Sequence, residues 1–127
     1  MKNKLLPMLM LLALSSYTMA SDSCERYTTS YDRTYCKSKL FVESDKELNE
    51  VYKSLRKNIP SNVSEKLKQT QREWMKYRDN KCETQPGTIN VDCNYQVNKE
   101  RTEYLRDRLR ECKTGVCDNN AVSRQSW

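Results

Sequence analysis

Six cysteines and no histidine set the chemistry open to this 127-residue chain. The cysteines are Cys24, Cys36, Cys82, Cys93, Cys112 and Cys117, spaced as Cys-x11-Cys, Cys-x10-Cys and Cys-x4-Cys. A zinc ribbon needs paired short Cys loops, and a mixed site needs His; neither is present, so no metal is expected. Without His, a Ser or Cys nucleophile lacks its usual activating base. Two glycines in the whole chain leave no phosphate-cradling loop. A pair of carboxylates would suffice to cleave a glycosidic bond. The 17 acidic residues, however, are scattered through Lys- and Arg-rich stretches, where such charges solvate a face. No enzyme and no cofactor is expected.

The fate of the thiols follows from the compartment. Lys2 and Lys4, the apolar run from Leu5 to Leu14, and the small residues of Thr18-Met19-Ala20 have the layout of a secretory signal peptide over 1–20. The run is too short to span a bilayer, so no stable membrane insertion is expected. Cys24 follows closely, but Ser21-Asp22-Ser23 precedes it, where lipid attachment would want a Leu three residues before the Cys. The mature chain is therefore expected to start near Ser21 and to be periplasmic or secreted, where thiols oxidise.

Disulfides also answer a shortage of core. The stretch 21–127 holds only 16 Leu, Ile, Val and Phe, about 15 %, a fraction usual in disordered chains. So thin a core hardly offsets the conformational entropy of ordering the chain. Three cross-links, each worth about 2–4 kcal/mol, would supply the difference.

The elements that must position these residues read as helices. Residues 21–34 are polar and Tyr-rich, an irregular lead-in. From about Tyr35 to Asn58, the residues Leu40, Phe41, Leu48, Val51, Tyr52 and Leu55, continued by Ile59, form a helical stripe. Pro60-Ser61-Asn62 ends that helix, with Ser61 or Asn62 expected to cap the next. The second helix runs to about Cys82, and its inner row is Leu67, Gln71, Trp74, Arg78 and Cys82. That row is unusual, because a Trp sits between two polar side chains and a Cys closes it. Pro86-Gly87 makes a turn. A third helix from about Cys93 to Cys112 places Val97, Arg101, Tyr104, Leu105, Arg108 and Leu109 inward, Gly115 marks its end, and 113–127 reads as a loose tail. The expected fold is all-α: one domain over 35–112, a three-helix antiparallel bundle stapled by disulfides. Among fifteen connectivities, pairing each Cys with its nearest neighbour (Cys24–Cys36, Cys82–Cys93, Cys112–Cys117) is expected, since each pair lies across a helix boundary. Trp74 is expected at the centre of the core, against Leu48, Tyr52 and Leu105.

The second helix, written L-x-x-x-Q-x-x-W-x-x-x-R-D-x-x-C over Leu67 to Cys82, resembles the signature of small secreted bacterial domains named after the LprI lysozyme inhibitor. The first helix carries Asp45, Leu48, Asn49 and Tyr52, similar to that family's acidic residue, Leu-Asn and Tyr. The third carries Cys93, Arg101 and Leu105, similar to its closing Cys, Arg and Leu. The likeness covers about Cys24 to Leu109 and leaves Cys112 and Cys117 outside. It implies a secreted helical domain whose partner is lysozyme or another peptidoglycan hydrolase.

Two readings of the polar signature residues stand side by side. Asp45, Asn49, Gln71, Arg78, Asp79 and Arg101 lie on or beside inward faces, where an unpaired polar group costs about 1–3 kcal/mol. An interhelical network, for instance Arg78 with Asp45 or Glu47, would satisfy them and set helix register. In the other reading Trp74, Tyr77 and Arg78 form a binding patch, since Trp, Tyr and Arg dominate interface hot spots.

Charge narrows the partner. The formal net charge is +6, and +4 once the two leader lysines are set aside. Basic and acidic residues alternate, as in Lys99-Glu100-Arg101, so no concentrated nucleic-acid stripe exists and no nucleic acid is expected. Common animal lysozymes are strongly basic, so an inhibitor of this charge would bind by local complementarity against long-range repulsion. The alternative function is an envelope structural or stress protein, or an immunity protein against a wall-degrading toxin.

Overall fold

The computed structural model describes residues 20–127, and apart from Ala20 the expected signal peptide lies outside them. A short 3-10 helix, Ala20–Arg26, leads into α1 (Ser30–Lys57), α2 (Ser61–Cys82) and α3 (Val91–Lys113), followed by a single-turn α4 (Asn119–Val122). All-α architecture with three long helices and three disulfides is what the sequence led us to expect. The cross-links are Cys24–Cys36, Cys82–Cys93 and Cys112–Cys117, with Cα–Cα distances of 5.7, 5.4 and 4.1 Å.

Cross-helix pairs give the directions. Lys37 on α1 meets Asp92 on α3, Ser44 meets Asn98, and Glu47 meets Arg106. The numbers rise together, so α1 and α3 run parallel. Arg78 near the end of α2 reaches Asp45, whereas Arg56 near the end of α1 reaches Ser64 and Glu65 at the start of α2. The second helix therefore runs against the other two. The core threads all three: Leu48 and Leu55 from α1, Val63, Leu67 and Trp74 from α2, Val97 and Leu105 from α3.

Three boundaries differ from expectation, each for a local reason. First, α1 begins at Ser30, so the lead-in 21–34 is largely helical. Thr29 caps it, its hydroxyl accepting from Asp32 N at 3.0 Å, and Arg33 donates back to the carbonyls of Tyr27 and Thr28. The Cys24 disulfide and a Lys37–Glu25 ion pair at 2.7 Å fasten this lead-in to α1. Second, neither Ser61 nor Asn62 caps α2. Pro60 (φ −58°, ψ 150°) occupies the cap position with no side-chain hydrogen bond. Its fixed φ suits the entry to a helix, which then starts one residue early. Third, α3 starts at Val91, because Asn90 Oδ1 accepts from Cys93 N at 3.0 Å.

The segment 113–127, expected as a loose tail, is docked. Gly115, with φ 87°, turns the chain after α3, and Asp118 caps α4. Val122 is 0 % exposed and belongs to the core cluster. Thr70 Oγ1 donates to Ser123 O at 3.1 Å, and the Tyr104 hydroxyl donates to Ala121 O. Val122, these two side-chain donors and the Cys112–Cys117 disulfide help hold a segment whose local sequence offers little.

Candidate functional site

The row of α2 that mixes Trp with polar residues organises two separate clusters. At its lower end lies Arg78, whose side chain is largely buried. Its Nη1 donates to Asp45 Oδ1 at 3.1 Å and to Asn98 Oδ1 at 3.0 Å, while Nε reaches Asp79. Asn98, 0 % exposed, donates in turn to Ser44 Oγ at 3.0 Å, and Ser44 donates to Phe41 O. The guanidinium also lies 5.5 Å from the Trp74 ring centre and 5.8 Å from that of Phe41. Of the two acidic partners expected for Arg78, the fold selects Asp45; Glu47 pairs with Arg106 and Lys99. This cluster joins all three helices and consumes its own donors.

One turn further up, Arg101 on α3 is 5 % exposed. Its Nε donates to Gln71 Oε1 at 3.0 Å, but its Nη2 is buried with no hydrogen-bond partner. This guanidinium is lowered to about 10, chiefly by burial; Tyr104 opposes that shift and the charge of Arg124 adds to it. Three aromatic side chains flank it. The Arg101 carbon Cζ lies 5.8 Å from the ring centre of Trp74, 5.6 Å from Tyr104 and 5.9 Å from Trp127. Tyr77 packs on Trp127 with ring centres 5.9 Å apart. Together with Arg124 these residues line a cleft of about 200 Å³ between α2, α3 and the C-terminal segment. Glu100 is the one acidic side chain among its lining residues.

The structure thus divides the residues singled out in the sequence. Leu48, Gln71, Trp74, Arg101 and Leu105 are buried; Asp45, Tyr52, Tyr77 and Arg78 are half-buried. Asn49 and Asp79, placed on or beside inward faces, are exposed instead, Asn49 on the outer side of α1 and Asp79 where it can pair with Arg78 from solvent. Trp74 and Arg78 do not form one exposed patch with Tyr77. Trp74, at 2 %, forms the floor of the cleft, Tyr77 lies at its wall, and Arg78 is not among its lining residues.

Several residues of the site escaped the sequence reading. Asn98 falls on the same stripe as Asn94, Arg101 and Leu105, so its inward position was readable from periodicity. Arg124 and Trp127 sit in a segment with no period to read. A further exposed apolar group, Tyr31, Tyr35 and Val42, lies along the outer side of α1.

The lining of the cleft is suited to recognition. All six cysteines are paired, and among the described residues no group of His, Cys, Asp or Glu could hold a metal ion. Its guanidiniums and aromatic rings suit an anionic or aromatic group of a partner. No helix of the described residues is long and apolar enough to cross a membrane.

No curated protein and no solved structure matches the chain. Residues 20–105, more than half of the chain, match the family described as lysozyme inhibitor LprI, and that span includes Arg78, Trp74 and Arg101 while leaving α4 and Trp127 outside. The chain belongs to the LprI lysozyme inhibitor family.

Proposed function

We propose that this protein is exported and inhibits a lysozyme-type peptidoglycan hydrolase by binding it, with no hydrolysis of its own. The membership of residues 20–105 in a lysozyme inhibitor family is the observation that carries this reading. The disulfide framework supports an oxidising destination, periplasmic or secreted. The mouth of the cleft supplies the binding surface. Tyr77 is half-buried, Trp127 is 40 % exposed and Arg124 is exposed, the residue types that dominate interface energetics. The polar network around Arg78 serves the fold and keeps this surface in place.

A turbidity assay on bacterial walls tests the reading. Purified protein should slow lysis by lysozyme in a dose-dependent way and release no fragments when added alone. A partly buried contact is screened little by salt, so inhibition should persist from low to physiological ionic strength. Absence of inhibition against every lysozyme class at micromolar protein would overturn the proposal in favour of an envelope or immunity role. Inhibition that collapses with salt would point to shielding of the anionic wall itself.

A further inference from the structure

We propose that the cleft between α2, α3 and the C-terminal segment is a carboxylate-binding site that receives one acidic side chain of a partner protein, held by Arg101 and Arg124. That the partner is a hydrolase rests on the function proposed above; the chemistry of the site does not.

The first ground is an unused donor. Arg101 Nη2 is buried and unpaired while Nε of the same group is fixed by Gln71 at 3.0 Å. Buried donors on a cation are costly to leave unmade, and a side chain already held in place loses little freedom on binding. The second ground is a second cation. Arg124 makes no ion pair among the described residues, and its guanidinium carbon lies 4.6 Å from the ring centre of Tyr104. Arg101 lies 5.6 Å from that same ring. A third guanidinium, Arg108, lies 4.7 Å from the same ring centre but is paired with Glu111. Among the described residues Arg101 and Arg124 are left without a carboxylate, and an anion between them offsets both their repulsion and the burial of Arg101. A carboxylate matches the planar guanidinium fork, and aromatic walls exclude the water that would compete for it.

Size selects the source of that carboxylate. At about 200 Å³ the cleft is smaller than ordinary small-molecule sites, which run to about 300–1,000 Å³. It has room for one acidic side chain, not for a run of wall saccharides. Glu100 at the lining opposes an anion and keeps the site from being a general sink for negative charge.

Both tryptophans of the chain, Trp74 and Trp127, line the cleft, so intrinsic fluorescence reports on its occupancy. The probe is N-acetyl-glutamate amide, whose only charge is the side-chain carboxylate, with N-acetyl-glutamine amide as its neutral twin. Titration of the disulfide-intact protein at constant ionic strength should give a saturable change with a Kd on the order of millimolar for the glutamate probe alone. Arg124→Gln, an exposed position that leaves folding intact, should weaken binding by about fivefold or more, and Glu100→Gln should tighten it. An equal response to the glutamine twin, or an affinity unchanged in Arg124→Gln, would overturn the proposal. So would a preference for N-acetylmuramic acid or inorganic phosphate. Binding of the glutamate probe by a protein that inhibits no lysozyme would sustain this site and sink the hydrolase reading alone. Inhibition that survives Arg124→Gln, with no probe binding, would do the reverse.

Discussion

Asn98 Oδ1 accepts a hydrogen bond from Arg78 Nη1 at 3.0 Å, and through it a fully buried amide on α3 fixes the charged group of α2. The same amide donates to Ser44 on α1, so one side chain registers three helices. Asn98→Leu removes both bonds and leaves Arg78 with a lost acceptor in a largely buried place. It should cost roughly 2–3 kcal/mol, read as a lower denaturant midpoint at constant slope. An unchanged midpoint would show that water or Asp45 alone satisfies Arg78.

Trp74 is 2 % exposed, shares the buried cluster with Leu48 and Leu105, and has Tyr52 packed against that cluster. With so few aliphatic side chains available, nothing nearby can collapse into the space. Trp74→Ala should cost about 3–5 kcal/mol, a large part of the stability of a domain this size. A variant with wild-type melting temperature and lost inhibition would instead make Trp74 a contact residue.

Reduction should unfold the domain, because the core is thin and each cross-link constrains the unfolded chain. The pair Cys82–Cys93 closes the connection between α2 and α3 with a sequence separation of 11, and its removal through Cys82→Ala/Cys93→Ala should cost about 2–4 kcal/mol. Helical circular dichroism and melting temperature that survive full reduction would contradict this.

Lys37 bridges Glu25 at 2.7 Å and Asp92 at 2.9 Å. Its hydrogen bond and charge hold the Glu25 carboxyl below its ordinary 4.5, and the two acids raise Lys37 above 10.5. Glu25 therefore contributes stability present above pH 4.5 and lost as pH falls through its lower folded value. Lys37 contributes stability fully present below pH 10.5 and lost as pH rises through its higher folded value. Glu25 is solvent-exposed and Lys37 half-buried, so the effect should be small and confined to the docking of the lead-in. In an NMR titration, Lys37→Met should return the Glu25 midpoint to the ordinary range, and an unmoved midpoint would refute the pairing.

The docking of the C-terminal segment can be probed at Val122, which is 0 % exposed. Val122→Asp should detach residues 119–127, raise their amide exchange and lower stability by about 1–3 kcal/mol. Fast exchange of these amides already in the parent protein would mean that the segment is not held.

What the sequence alone determined is whatever acts over one to four residues, or between neighbours in the chain. The row Leu67, Gln71, Trp74, Arg78 and Cys82 was legible because a helix repeats its inward face every 3.6 residues, whatever it packs against. The disulfides were legible because each joins cysteines across one short connection. Tertiary structure decided the rest. Arg78 chose Asp45 over Glu47 because the two acids, two residues apart on α1, point to different sides of the helix, and only packing determines which side faces α2. Thr70 meets Ser123 across 53 residues of sequence, and no local pattern in 119–127 announces that contact. The cleft follows the same rule: Trp74 and Arg101 come from the helices, Arg124 and Trp127 from a segment without period, and their meeting depends on where three packed helices leave the end of the chain.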